Sequence, residues 1–221
     1  MSLVLKAEPP SYSRESITRA ARILRDGGVA VFPTETVYGV GADIRCADSV
    51  GRVFALKRRE LSQPLMVHCA SPVQMLEYVA NVPQWVQPLI SRFWPGPLAL
   101  ILRSSERVPP VVTGGGQTIG IRMVGHPVAR DLLEELGAPI AGTSANLHRE
   151  PATSRFAAIN LSILEQVAVA LDAGLCGKDV PSTVLDVTCN PARVVRVGAV
   201  SVQAIEAVIG RVRSQPPVPN P

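Results

Sequence analysis

The run VAVFPTETVYGVGAD, residues 29–43, sets the strongest limit on what this chain can become. It starts as an unbroken apolar segment of strand length, the pattern of a strand covered on both faces. It then passes without a linker into Pro33, Thr34, Glu35, Thr36 and Tyr38. Two hydroxyls, a carboxylate and a phenol at the end of a core strand need partners or water. A crevice outside the strand ends supplies both, and such crevices are where open α/β sheets bind ligands. Gly39 and Gly41 follow, and are expected to let the backbone turn close to a ligand.

The rest of the chain alternates between the two periods. Ser13 or Ser16 can cap a helix whose apolar face is Ile17, Ala20, Ala21 and Leu24, stopped by Gly27-Gly28. A second helix is expected over Asp48–Lys57, with Val50, Val53 and Phe54 inward. A third starts at Ser71-Pro72 with Met75, Leu76 and Val79 on one face, and a fourth, Gln84–Phe93, stops at WPGP. Helices are also expected over Pro127–Leu136, Arg155–Gln166 and Ser201–Ile209. Strands are expected at LMVHCA, PLALILR, TIGIRM, PIAG, VAVALD, STVLDV and ARVVRV. The last strands have no helices between them. The expected fold is therefore α/β, a single domain with a twisted mixed sheet flanked by helices and an open concave cleft. Residues 1–210 would form that domain and 211–221 a flexible tail.

Composition excludes several classes. With 221 residues, 47% apolar and 18% charged, the chain can bury one sizeable core. A net charge of +4 suits anionic ligands such as nucleotides or RNA without singling out either. The longest apolar runs are of strand length, so no membrane span is expected. The N-terminus lacks the pattern of a signal peptide. The four cysteines form no CxxC and the three histidines no HExxH, so neither structural zinc nor a disulfide framework is expected, and a cytoplasmic location is.

Polar groups gather at several further strand ends. Lys57, Arg58 and Arg59 close a helix, where the dipole alone favours them. Gln63 follows, and His68 stands inside the next strand, where a buried structural histidine is the plain alternative. Arg122 and Arg196 sit in strands, as edge residues do with their heads in water. Thr143, Ser144 and Asn146 follow a short strand and can simply form a turn. Thr113–Gln117, TGGGQ, reads as a flexible hairpin or as a phosphate nest. GLCGKD fails the spacing of a P-loop. Each cluster has its structural explanation, but together they put three cations and several hydroxyls at the ends of one sheet. No serine, cysteine or histidine has an evident nucleophile–base partner, which points to positioning and charge neutralisation, as in phosphoryl or nucleotidyl transfer.

These residues resemble the YrdC-like L-threonylcarbamoyladenylate synthases. FPTETVYGVG, the K-x-R…PLMVH block, WPGPLALIL, GIRM…HP, TSAN and PSTVLDVT come in that family's order, over about residues 15–210. The resemblance implies a fold of the YrdC/RibB-like type. It implies that ATP, L-threonine and bicarbonate or CO₂ become threonylcarbamoyl-AMP and pyrophosphate, with Mg²⁺ carried on the ATP phosphates and no dedicated protein metal site. The product would feed a tRNA threonylcarbamoyl-transferase complex acting on adenosine 37 of tRNAs that read ANN codons, with weak tRNA binding as a further expectation.

Residue by residue, the resemblance assigns the family's K-x-R and S-x-N signature to Lys57, Arg59, Ser144 and Asn146. It sets Lys57, Arg59, Gln63, Thr118, Ser144 and Arg196 toward ATP, and Thr36, His68, Arg122, Gly142 and Ser182 toward L-threonine. Glu35 and Tyr38 receive no role. The chain departs from the usual KGRPxxNPL: Arg58 replaces a glycine, Glu60 a proline and Gln63 an asparagine. The competing reading is a non-catalytic RNA-binding module of the same fold. The aromatic content of 4% offers few stacking platforms for it.

Overall fold

A computed structural model of the chain describes residues 2–147 and 150–214. In chain order the elements are β1 (Leu3–Lys6), α1 (Arg14–Arg25), β2 (Val29–Phe32), β3 (Gly39–Asp43), α2 (Ala47–Lys57), β4 (Met66–Cys69), α3 (Pro72–Tyr78) and α4 (Gln87–Phe93). Then come β5 (Leu98–Arg103), α5 (Pro110–Thr113), β6 (Thr118–Met123), α6 (Pro127–Leu136), β7 (Ile140–Ser144), α7 (Leu161–Gln166), β8 (Val169–Asp172), β9 (Thr183–Asp186), β10 (Arg193–Arg196), α8 (Val202–Ile209) and β11 (Arg213–Ser214).

All the strands join one mixed sheet in the order β1-β8-β2-β3-β7-β4-β6-β5-β9-β10-β11. Its central strands β2, β3, β4 and β7 are buried along most of their length because helices cover both faces. On one face α1 lays Ile17, Ala20, Ala21 and Leu24 against Val128, Ala129, Leu132 and Leu133 of α6. On the other, Val50, Val53 and Phe54 of α2, Leu89 of α4 and Ile205 of α8 join the larger core with Val40, Val67, Leu98 and Leu100 from the strands. Ser13 caps α1 by accepting the N–H of Glu15 at 3.2 Å, and Ser71 caps α3 through Gln74.

Several expectations change. Gly39 and Gly41 do not turn; they lie in β3, paired with β7, and the chain reverses earlier, over residues 34–37. A Cβ on Gly39 would come within 2.8 Å of the Phe32 ring, so close packing is what requires glycine there. Leu76 is exposed rather than inward, while Met75 and Tyr78 are buried. The stretch Arg155–Gln166 is not one helix. A 3₁₀ turn at Phe156–Ala158 ends, and Asn160 caps α7 afresh by accepting the N–H of Ser162. The glycines of TGGGQ do not form a free nest: the amides of Gly115 and Gly116 are spent on the carbonyls of Pro110 and Thr113, closing α5. Arg213 and Ser214, expected in the flexible tail, pair in parallel with β10. Residues 215–221 lie outside the described residues.

Arg58 ends α2 in the left-handed region, at φ 49° and ψ 39°, and its N–H closes on Ala55 while that of Arg59 reaches Phe54. Glycine adopts this conformation freely; an L side chain there is disfavoured by roughly 1–2 kcal/mol. Arg58→Gly is therefore expected to stabilise the protein by about 0.5–1 kcal/mol, once glycine's greater freedom in the unfolded chain is subtracted. Urea denaturation checks this; an unchanged or lower midpoint would mean that the exposed Arg58 side chain makes up for its backbone.

Candidate functional site

The polar stretch after β2 divides its work among four side chains. Thr34 serves the turn itself. Its hydroxyl donates to the carbonyl of Val37 at 2.6 Å and accepts from the N–H groups of Thr36 and Val37, both at 3.3 Å. Thr36 shares a hydrogen bond with Thr34 at 2.9 Å and accepts one from Arg122 Nη2 at 3.3 Å. Glu35 turns to the loop after β6. One carboxylate oxygen pairs with Arg122 Nη1 and the other accepts the N–H of Gly125 at 2.9 Å. Tyr38 goes the other way, under the loop after β8: its hydroxyl donates to the Gly174 carbonyl at 3.1 Å and accepts the Ala173 N–H at 3.0 Å. Burial pushes that phenol up, so it stays protonated and structural.

Thr34, Thr36, Val37 and Tyr38 form one wall of an open cleft of about 180 Å³, which Glu35 does not line. The sheet supplies the rest. Register sets His68 of β4 beside Arg122 of β6, and Met66 beside Gly142 of β7. Gly39 of β3 faces Ser144, and Gly41 faces Gly142. The cleft floor between β3 and β7 therefore carries almost no side chains. Ser182, just before β9, and Arg196, at the end of β10, close the far side. Arg196 stands at the rim with its head turned in: Nε and Nη2 donate to the Ser182 carbonyl at 3.1 and 2.9 Å, and Nη2 to its hydroxyl at 3.1 Å.

Of the residues singled out in the sequence, Thr36, His68, Arg122, Gly142, Ser182, Arg59, Ser144 and Arg196 line this cleft together. Lys57, Gln63, Thr118 and Asn146 do not. Lys57 is buried, and its ammonium donates to the Ser144 carbonyl at 2.8 Å, to Asn146 Oδ1 at 3.0 Å and to the Asn146 carbonyl. Asn146 in turn donates to the carbonyls of Leu147 and Glu150. Lys57 thus shapes the turn that presents Ser144. Burial, then the charge of Arg59, push its ammonium down to about 8, which leaves it charged at neutral pH. Gln63 is exposed and contributes its backbone: its carbonyl and that of Pro64 accept from Arg59 Nε at 3.2 Å and Nη2 at 2.9 Å, which fix Arg59 against the cleft. Thr118 stands at the start of β6, opposite Arg103.

The cleft is cationic. Arg59, Arg122 and Arg196 line it, and among the described residues none of the lining is a carboxylate. His68 adds no charge, because burial, then Arg122, push its imidazole down to about 3. Its ring meets Phe32 edge-on with centroids 5.4 Å apart. Among the described residues, no three or more His, Cys, Asp or Glu converge as a metal site would require. Among them too, no helix is long and apolar enough to cross a membrane. With three arginines lining it, one beside the Thr36 hydroxyl, the cleft can hold more than one anionic group. Sequence reasoning singled out Glu35 but assigned it no role. Its signal was present, as a carboxylate inside a strand-end cluster, but its partner lies 87 residues away.

A family model designated Sua5_yciO_yrdC and described as "Telomere recombination" matches residues 22–198. The threonylcarbamoyl-AMP synthase of Pyrococcus abyssi is 39% identical over 199 residues, which cover 90% of this chain and 58% of that protein. The threonylcarbamoyl-AMP synthase of Bacillus subtilis is 39% identical over 201 residues, again 90% of this chain and 58% of that protein. The crystal structure of P. abyssi Sua5 complexed with L-threonine matches with a TM-score of 0.91 at 36% identity, covering 98% of this chain and 63% of that one. The chain thus spans about three fifths of the length of these relatives.

Proposed function

The chain belongs to the Sua5/YciO/YrdC family, and from that premise we propose that it makes L-threonylcarbamoyl-AMP and pyrophosphate from ATP, L-threonine and bicarbonate or CO₂. The observation that carries this reading is the cleft lined by three arginines and, among the described residues, no carboxylate, with hydroxyls of Thr36, Ser144 and Ser182 between them. A triphosphate and an amino-acid carboxylate, brought together, are what such a lining neutralises.

The threonine amine adds to CO₂ and loses a proton, giving a carbamate. A carbamate oxygen then attacks the α-phosphorus of ATP, and the bond to the pyrophosphate leaving group breaks. The carbamate is a weak nucleophile, so alignment carries most of the catalysis. Arg122 with Thr36 would take the threonine carboxylate, and neutral His68, Gly142 and Ser182 would bound the same subsite. Arg59, Ser144 and Arg196 would face the nucleotide phosphates, with Lys57 and Asn146 holding Ser144 in place and Gln63 and Thr118 flanking. Mg²⁺ would arrive as the MgATP substrate. The product is a labile mixed anhydride, which fits delivery to a tRNA threonylcarbamoyl-transferase complex in the same compartment, the cytoplasm.

Pyrophosphate release with each substrate omitted in turn tests the reading. Pyrophosphate and an adduct of the mass of threonylcarbamoyl-AMP should appear only when ATP, L-threonine, bicarbonate and Mg²⁺ are all present. L-Serine should turn over more slowly, since the missing methyl is worth roughly 1–3 kcal/mol of apolar contact. Phosphate in place of pyrophosphate, equal turnover without threonine, or salt-sensitive RNA binding without turnover would overturn it.

A further inference from the structure

Arg122 is one of the most deeply buried charged side chains among the described residues, and a second arginine, Arg196, lines the same cleft. Its side chain is 4% exposed. Nη2 has only a neutral partner, the Thr36 hydroxyl at 3.3 Å, and Nε is buried with no partner at all. A guanidinium in this position is costly unless an anion meets it. Glu35 is that anion, and its own geometry is fixed from two sides. One oxygen pairs with Arg122 Nη1; the other accepts the Gly125 N–H at 2.9 Å. The carboxylate arm also lies against Gly125, where an added Cβ would stand 3.4 Å from Glu35 Cγ. Gly125 lies three residues after Arg122 on the same segment, so strand, loop and carboxylate form a closed frame around the guanidinium.

We propose that Glu35 is the positioning residue of the amino-acid subsite: it clamps Nη1 of Arg122 and so aims Nη2, beside the Thr36 hydroxyl, at the carboxylate of the incoming amino acid. This rests on the reading of the cleft as a threonine site. Glu35 is a brace and not a stand-in for the substrate. A stand-in would lie in the cleft and leave when the substrate enters. Glu35 does not line the cleft, and its second oxygen is tied to backbone on the far side. It also offsets one of the three arginine charges. Arg122 lies close enough to Arg196 to disfavour that second charge, after burial, and a carboxylate behind Arg122 lets both face one small cleft.

The test is calorimetric titration of L-threonine into the wild-type protein, Glu35→Gln and Glu35→Ala, followed by KM for L-threonine and for ATP in the pyrophosphate assay. Glu35→Gln keeps the shape and one acceptor but drops the charge. It should weaken L-threonine at least tenfold and lower the thermal midpoint, since the buried guanidinium loses its anion, with KM for ATP within twofold of wild type. Glu35→Ala should weaken L-threonine further. Should Glu35→Ala not fold, Glu35→Gln carries the test alone. Unchanged L-threonine affinity in Glu35→Gln overturns the proposal, as does an equal loss toward ATP. Tighter L-threonine binding by Glu35→Ala would make Glu35 a competitor and overturn it too. A wild-type protein that does not bind L-threonine brings down the synthase reading, and this proposal with it, whereas wild-type binding with unaffected variants brings down only the brace.

Discussion

Lys57→Met is expected to abolish most activity and to lower stability together. The substitution keeps the length and apolar stem of a buried side chain and removes only the ammonium. Three oxygens then lose their donor: the Ser144 carbonyl, the Asn146 carbonyl and Asn146 Oδ1. Hydrogen bonds to charged groups are worth roughly 1.5–3 kcal/mol each and do not add fully, so the loss should be about 3 kcal/mol or more. For a domain of this size that is a fall of roughly 6–12 °C in thermal midpoint. The turn after β7 would relax and carry Ser144 out of place, and a displacement of about 1 Å at a reacting centre can cost on the order of 10²-fold in rate. Scanning calorimetry and pyrophosphate release measure the two effects. Asn146→Ala should fall between, because the ammonium keeps both carbonyls. An unchanged midpoint with a raised KM for ATP alone would show instead that Lys57 meets the nucleotide directly.

Gly142→Ala is expected to be the most damaging single-methyl change in the sheet. Gly142 pairs with Gly41 on one side and Met66 on the other, at the centre of the β3-β7-β4 ladder. A Cβ there would stand 2.5 Å from the Val40 carbonyl oxygen and 3.0 Å from Gly41 Cα. Both obstacles are backbone, so no rotamer change relieves them and two central strands must part. Overpacking of a core side chain costs roughly 1–3 kcal/mol; with backbone on the other side about 3 kcal/mol or more is expected. The methyl also alters the bare floor of the cleft, so L-threonine affinity should fall at least tenfold, and more than ATP affinity does. Gly51→Ala is the control. Nothing lies within 4 Å of a Cβ at Gly51 in α2, so alanine there should gain about 0.5–1 kcal/mol from helix propensity alone. A Gly142→Ala protein as stable as the wild type would mean that the strands can open without loss.

Local signals were legible wherever one segment's own chemistry decided its form. The spacing of Ile17, Ala20, Ala21 and Leu24 fixes which face of α1 is buried, since only one stripe of a helix can meet the sheet. Ser71-Pro72 opens α3, and WPGP ends α4, because cap and ring geometry act within a few residues. Leu76 shows the limit. Its place in the helical period is apolar, yet at the end of a seven-residue helix the packing partner on that side is absent and it stays exposed. The glycines of β3 show another. A glycine before a turn and a glycine under an aromatic ring are identical in sequence, and only the Phe32 ring over Gly39 and the facing pair Gly41 and Gly142 tell them apart.

The site divides along the same line. The chain by itself marked the candidate residues: hydroxyls and cations at strand ends, in an order that marks a family. Only the tertiary structure decided what each one touches. Lys57 reaches a turn 87 and 89 residues on, and Glu35 meets Arg122 across 87 residues. Those contacts follow from strand order and register, which bring β4, β6 and β7 side by side although other elements separate them in the chain. A side chain's charge and reach are local properties, but its partner is set by which strand the sheet places next to it.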